Sequence, residues 1–199
     1  MITCSDIISY LDINYNFKST LSELANNSLI NDQTVAYDFD RIKEKIYKSS
    51  KSVDALLIRK NLNLIEFKTG FDSTLESVNE KVKKDNLSLR IRLKAYESLH
   101  LLQTAIIDEI SDCDRLSDGI KIVFCAVIDT NEPVVAEEVY VDILSDEGGI
   151  KENKSWKVRI VDSVMSIYRK ETDHHKKLFY DEAFVLYDYE FDREVSRFR

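Results

Sequence analysis

Residues 53–70 read VDALLIRKNLNLIEFKTG, and the architecture of the chain is best approached from this stretch. Two apolar runs, 53–59 and 62–68, flank a short polar break. Both runs are too short and too apolar to be surface helices, so they predict two β-strands. Asp54 stands near the start of the first run, and Glu66 and Lys68 stand at the end of the second.

The parity of the turn between these strands decides whether the three charged side chains meet. Side chains alternate along a strand, so Glu66 and Lys68 share a face. In an antiparallel hairpin, pairing Ile58 with Leu62 puts Asp54 opposite Glu66, and the next odd register puts Asp54 opposite Lys68. A two-residue turn would send Asp54 to the other face. We therefore expect a turn of odd length or a compensating bulge.

The periodicity of apolar residues predicts the rest of an α/β domain. Helices are expected at 6–14, 20–29, 35–48, 89–110 and 156–170, and further strands at 120–129 and 184–191. The run 120–129 is nearly continuous apolar sequence and predicts a strand buried on both faces. The segment 71–88 is predicted to be a loop or an exposed helical piece. The expected organisation is one α/β domain over 35–199, preceded by a small helical extension over 1–34.

Composition excludes several classes of protein. The chain has 199 residues, 44% hydrophobic and 32% charged, which is typical of a globular protein. Four glycines and one proline are too few turn residues for an all-β sandwich or barrel. The net charge of −8 argues against a histone-like coat on nucleic acid, but not against a nuclease whose acidic residues are neutralised by metal ions.

The cellular setting is predicted from what the sequence lacks. There are three widely spaced cysteines, no CxxC pair and no run of about 18 apolar residues. The N-terminus has no basic start and is interrupted by Asp6 and Asp12, so it is not a signal peptide. We expect a cytoplasmic protein with reduced thiols and no contact with a membrane. The adjacent His174 and His175 have no partners at zinc-like spacing and are predicted to lie in a polar loop.

Asp54, Glu66 and Lys68 are the residue types that phosphodiester cleavage requires. Two carboxylates can hold one or two Mg²⁺ ions, which prefer oxygen ligands. A lysine beside them can orient the attacking water or stabilise the charge of the transition state. The structural alternative is a solvated strand end with a surface Glu–Lys pair.

Asp54, the Glu66-x-Lys68 pair and the context IEFKTG resemble the PD-(D/E)xK nuclease superfamily, which includes many restriction endonucleases, Holliday junction resolvases and RecB-like nucleases. The resemblance implies a restriction-endonuclease-like core, with a mixed central sheet flanked by helices. It also implies that Asp54 and Glu66 bind Mg²⁺ or Mn²⁺, that the backbone carbonyl of Phe67 completes the shell, and that Lys68 is catalytic. Val53 stands where the pattern has proline.

Further site residues follow from the same resemblance. The superfamily often adds an acid from the preceding helix, for which Glu44 is the first choice and Asp40 and Glu23 are weaker ones. RecB-like members carry Gln-x-x-x-Tyr on the helix after the motif. The matching positions here are Arg92 and Tyr96, and because the glutamine is absent the chain is not assigned to the RecB branch.

A basic stretch precedes and opens the predicted long helix. It predicts contacts with DNA phosphates, and a plain solvated face is the alternative. The candidate DNA-contacting residues are Lys84, Arg90, Arg92, Lys94 and Tyr96. Cations at the start of a helix oppose its macrodipole, which favours a functional role for them.

The expected function is therefore a Mg²⁺-dependent endodeoxyribonuclease, from a mobile element or a phage-defence system. Family analogy implies a homodimer, since one site cuts one strand. One alternative is a non-catalytic nuclease-like module that binds a protein or nucleic acid. The other is a structural α/β protein in which Glu66 and Lys68 only pair at the surface.

Overall fold

The fold was analysed in a computed structural model, which describes residues 1–26, 29–68, 80–111, 115–130 and 156–195. The side chains of 80–86, 156–164 and Lys177 are outside the described set. The helices are α1 (Cys4–Asn14), α2 (Leu21–Leu24), α3 (Phe39–Ile46), α4 (Glu80–Leu102), α5 (Asp108–Ile110), α6 (Trp156–Leu178) and α7 (Asp188–Glu194). The strands are β1 (Lys18–Thr20), β2 (Val35–Asp38), β3 (Ala55–Ile58), β4 (Leu62–Lys68), β5 (Ile122–Ile128) and β6 (Glu182–Tyr187).

The six strands form one mixed sheet in the order β1-β2-β3-β4-β5-β6. β1 to β4 are joined by antiparallel pairings, whereas β5 runs parallel to β4 and β6 runs parallel to β5. A chain segment that includes a long helix precedes each parallel strand, as a parallel connection requires. The protein is thus a mixed α/β structure, and the prediction that β5 lies inside the sheet with both faces covered is confirmed.

The β3–β4 hairpin has the odd turn that the site requires. Ile58 pairs with Leu62, so the turn comprises the three residues 59–61. The backbone N–H of Asp54 donates to the carbonyl of Ile65 at 3.1 Å, which continues the ladder beyond β3. One step further along this register, Asp54 faces Glu66. The predicted parity is confirmed.

A hydrophobic core lies on each side of the sheet. The first core contains Leu56, Leu64 and Phe124 from the strands, together with residues of α1, α3, α4 and α6. The second core contains the strand residues Ile65 and Cys125, together with residues of α2 and α7. Since Glu66 and Lys68 alternate with Ile65 along β4, they belong to the first side, beneath the long helices α4 and α6.

Two predicted elements change type part-way along. The predicted helix 35–48 begins as the strand β2, and the helix α3 starts only after Asp38, whose carboxylate accepts a hydrogen bond from the N–H of Arg41 at 3.0 Å. The predicted strand 184–191 ends at Tyr187, whose N–H donates to the carboxylate of Glu190 at 2.9 Å as α7 begins. In both places a hydrogen bond from a side-chain cap marks the end of the strand and the start of the helix. The periodicity of apolar residues does not indicate such a boundary.

The prediction of a loop at His174 and His175 is wrong. Helix α6 continues to Leu178 and carries both residues. His175 is 3% exposed and packs against the ring of Phe124, with 5.6 Å between ring centroids. The helix therefore runs through a polar stretch of sequence, and its buried face includes His175.

The N-terminal segment contributes to the same sheet and core. β1 forms the edge strand beside β2, and Ile7 and Leu11 of α1 are fully buried in the first core. The predicted helix 20–29 is reduced to the four residues of α2. Most of the segment 71–88 falls outside the described residues or side chains.

The two longest helices, α4 and α6, have 23 residues each. Over the described part of the chain, neither they nor any other helix combines the length and the apolarity that crossing a membrane requires.

Removing the ring of Phe124 should strongly destabilise the protein. This side chain is fully buried and contacts both His175 and Tyr180, so it holds the end of α6 against the sheet. Phe124→Ala is expected to lower the free energy of unfolding by about 3–5 kcal/mol. Ile13→Ala, at a position 82% exposed, should change it by less than about 0.5 kcal/mol. Urea unfolding measures both, and a loss for Phe124→Ala as small as the control would contradict this packing.

Candidate active site

Asp54 and Glu66 are neighbouring carboxyl groups on the first side of the sheet. Glu66 is 4% exposed within β4, and the side chain of Asp54, just before β3, is 21% exposed. The backbone N–H of Phe67 donates to Oδ2 of Asp54 at 2.5 Å. This contact holds the Asp54 carboxylate against β4, so the pair is positioned by the hairpin itself.

Lys94 of α4 occupies the space beside both acids. Its Nζ lies 2.7 Å from each oxygen of Glu66 and 3.8 Å from Oδ1 of Asp54. The sequence predicts this residue as a DNA contact on a solvent-facing helix surface. The structure instead turns its side chain inward, where it acts as the counterion of the two carboxylates.

Burial dominates the electrostatics of the pair. It raises the pKa of Asp54 above its ordinary value, and together with the negative charge of Asp54 it raises the pKa of Glu66 to about 8. Burial also acts to lower the pKa of Lys94, but the charges of Glu66 and Asp54 outweigh it and the net shift is upward. The raised pKa of Glu66 favours a neutral carboxyl group, whereas the raised pKa of Lys94 favours an ion pair between Lys94 and Glu66. The ion pair is the better description, because Nζ of Lys94 lies 2.7 Å from both oxygens of Glu66.

Lys68 lies at the carboxyl end of β4, on the same face as Glu66. It pairs with Ile128 of β5, and its positive charge contributes to lowering the pKa of Glu66 against the effect of burial. The hairpin and α4 thus bring four of the predicted residues together: Asp54, Glu66, Lys68 and Lys94.

The acid that helix α3 directs toward the site is Asp40, not the first choice, Glu44. Glu44 is exposed. The charge of Asp40 raises the pKa of Asp54, and its carboxylate accepts a hydrogen bond from Ser52. The reason is that α3 starts at Phe39, whose N–H donates to the carbonyl of Asp54 at 3.1 Å, so only the first turn of the helix lies near that residue. The predicted helix start at 35 was wrong, and it therefore did not place Asp40 in the first turn beside Asp54.

Helix α6 adds two residues that sequence reasoning missed. Tyr168 is 2% exposed, and burial and the charges of Glu66 and Asp54 raise its pKa. Glu171, one turn further along, is 1% exposed and accepts hydrogen bonds from Arg92 and from Ser88 of α4. The three-residue spacing of Tyr168 and Glu171, which puts them on one face of a helix, is the signal in the sequence that could have found them.

The remaining predicted DNA contacts are distributed differently. Arg92 is tethered to Glu171, with half of its side chain exposed. Arg90 and Tyr96 are exposed on α4, and Tyr96 packs against His100 and Phe179 rather than against the acids. Lys84 falls in the part of α4 whose side chains are not described.

The donor set is compatible with Mg²⁺. This ion is commonly bound through one or two carboxylates, with water and substrate phosphate supplying the other oxygens, and Asp54 and Glu66 provide such a pair. Within the described residues, no three or more His, Cys, Asp and Glu side chains form a cluster that could hold a metal. A metal held by Asp54 and Glu66 would compete with Lys94 for Glu66.

No protein-family model, curated protein or solved structure gives a significant match to the chain.

Replacing Lys94 should destabilise the protein in a manner that depends on pH. Lys94→Met removes the cation that contacts the buried Glu66 and the largely buried Asp54, and we expect a loss of about 3 kcal/mol at pH 8. The folded-state pKa of Glu66, already above its ordinary 4.5, should rise further. An acid with a raised folded-state pKa stabilises the fold below its unfolded pKa and loses that stability as pH rises. The deficit should therefore shrink from pH 8 to pH 5.

Urea unfolding at the two pH values measures this effect. Lys45→Met removes an exposed cation from α3 and serves as the control, with a change below about 0.5 kcal/mol at both pH values. A deficit in Lys94→Met that is constant across this range would show that the ion pair is not what the mutation disrupts.

Proposed function

We propose that the protein is a divalent-metal-dependent nuclease that hydrolyses phosphodiester bonds in DNA. The observation that carries the proposal is the placement of Asp54 and Glu66 beside Lys68 and Lys94 at one end of the β3–β4 hairpin. Two carboxylates with a lysine beside them are the residue types that metal-dependent phosphodiester cleavage uses.

Each group has a role in the proposed reaction. Asp54 and Glu66 would hold Mg²⁺ or Mn²⁺, which when bound lowers the pKa of a water ligand and offsets charge on the phosphate. The N–H of Phe67 orients Asp54, and the Phe67 carbonyl remains a predicted ligand. Lys68 and Lys94 can stabilise the negative charge that develops on the phosphate oxygens.

The order of elements gives secondary support to a restriction-endonuclease-like core. Helix α3 precedes the antiparallel pair β3 and β4, and helix α4 precedes β5, which is parallel to β4. DNA as the substrate, the homodimer, and the origin in a mobile element or a defence system rest on the resemblance of the Asp54, Glu66 and Lys68 pattern to PD-(D/E)xK nucleases.

One observation favours a non-catalytic module instead. Lys94 contacts both oxygens of Glu66, so the carboxylate that would bind a metal is already paired. A buried lysine in this position can replace the metal as a structural counterion, which would leave a nuclease-like domain that binds a partner without cleaving it.

Cleavage of DNA separates these two functions. The wild-type protein, incubated with plasmid or branched DNA and Mg²⁺ or Mn²⁺, is expected to cut the DNA. Asp54→Asn and Lys68→Ala should each reduce the cleavage rate by at least about 100-fold. Glu109→Gln removes one negative charge, as Asp54→Asn does, but at an exposed position, and it should not change the cleavage rate.

The same preparations should show metal binding by calorimetry in the wild type and its loss in Asp54→Asn. Absence of cleavage on every substrate, together with absence of bound metal, would refute the nuclease and leave the non-catalytic module.

The two acids of α3 give a further test. Asp40→Asn alters the charge next to Asp54 and should reduce cleavage by about 10-fold, as for residues that support metal ligands. Glu44→Gln changes an exposed position of the same helix and should leave the rate within about twofold. If Glu44 supports the metal ligands instead of Asp40, the order of the two rates is reversed, so measuring both decides between the two acids.

A further inference from the structure

A cavity of about 240 Å³ lies on the second side of the sheet, away from the acids of the candidate active site. It is lined by Val123, Phe184 and Leu186, which are apolar, and by Asn61, Asn63, Glu182 and Glu194, which are polar. Asn63 pairs with Val123 near the start of β5, whereas Glu66 pairs with Ala126 further along. Asn63 and Glu66 are three residues apart on β4, so their side chains lie on opposite faces of the sheet. The sheet therefore separates the cavity from the acids.

The orientation of the Asn63 amide is determined by its contacts. Asn63 is completely buried, and its Nδ2 donates to the carbonyl of Leu57 at 3.0 Å and to that of Asn61 at 3.2 Å. Turning the amide over would bring its Oδ1 against these two carbonyl oxygens. The buried Oδ1 is thus an acceptor, and it has no hydrogen-bond partner within the described part of the chain. Buried acceptors of this kind require a donor.

The other polar groups of the lining add negative charge. Glu194 ends α7, and Glu182 starts β6 with a side chain that is 44% exposed, so the cavity reaches solvent beside Glu182. On this solvent side, Nζ of Lys121 lies 2.5 Å from a carboxylate oxygen of Glu182. The backbone N–H of Lys121 donates to Oδ1 of Asn61 at 3.2 Å. Among the described residues that line the cavity there is no lysine, arginine or histidine.

We propose that this cavity binds a small organic cation with an ammonium group on an apolar body. An ammonium group has three donors and no acceptor, so it suits Oδ1 of Asn63 and the carboxylate of Glu194. The apolar body would contact Val123, Phe184 and Leu186. Because the volume is below the roughly 300 Å³ at which pockets for drug-sized ligands begin, the ligand is a single ring or a short chain. This binding site does not depend on the proposed nuclease activity.

The test compares two probes of nearly equal shape. Phenethylamine carries the ammonium group, and 2-phenylethanol replaces it with a neutral hydroxyl. Titration calorimetry of the wild-type protein should show saturable binding of the amine and at least about tenfold weaker binding of the alcohol. Glu194→Gln should weaken binding of the amine by at least about fivefold. Glu109→Gln, which removes an exposed carboxylate from α5, should not change it.

Circular dichroism and the thermal midpoint establish that Glu194→Gln is folded. If it is not, Glu182→Gln at the half-exposed side of the cavity replaces it, with weakening in the same direction expected. Equal affinity for amine and alcohol would overturn the proposal, since it would show that the charge is not recognised. It would also be overturned if neither probe binds, or if Glu109→Gln weakens binding as much as the cavity variant.

Discussion

The pairing of β3 with β4 across the three-residue turn 59–61 is the constraint on which the site depends. It places Asp54 next to Glu66 and brings the N–H of Phe67 to the carboxylate of Asp54. A change of one residue in the turn would move Asp54 to the opposite face, among the residues of the second core. The strand pairing and the N–H of Phe67 therefore position both acids.

Concentrating carboxylates in a buried place has an energetic cost that α4 offsets. Asp54 and Glu66 both have raised pKa values because burial disfavours their charged forms. Lys94 supplies the compensating charge, and Arg92 on the same helix pairs with Glu171 of α6. The ion pairs thus connect the sheet, α4 and α6 into one arrangement. In the proposed nuclease, a divalent cation would compete with Lys94 for Glu66, so the same contact would stabilise the resting protein and oppose metal binding.

The two sides of the sheet differ in what they bury. The first side carries the acids, the lysines and the long helices, whereas the second carries the small cavity around Asn63. Both sides place polar groups in apolar surroundings, where each group needs a partner. On the first side Lys94 is that partner. On the second, the proposed organic cation would take the role for Oδ1 of Asn63.

The amino-acid sequence by itself determined the α/β class, the two strands of the hairpin, the parity of their turn and the interior position of β5. These follow from local alternation and apolar runs, which are properties of neighbouring residues. Tertiary structure alone decided that Lys94 points to Glu66, that Asp40 rather than Glu44 lies near Asp54, and that Tyr168 and Glu171 approach from α6. Each depends on where a helix starts and on how it is rotated against the sheet. Packing between residues distant in the chain sets both.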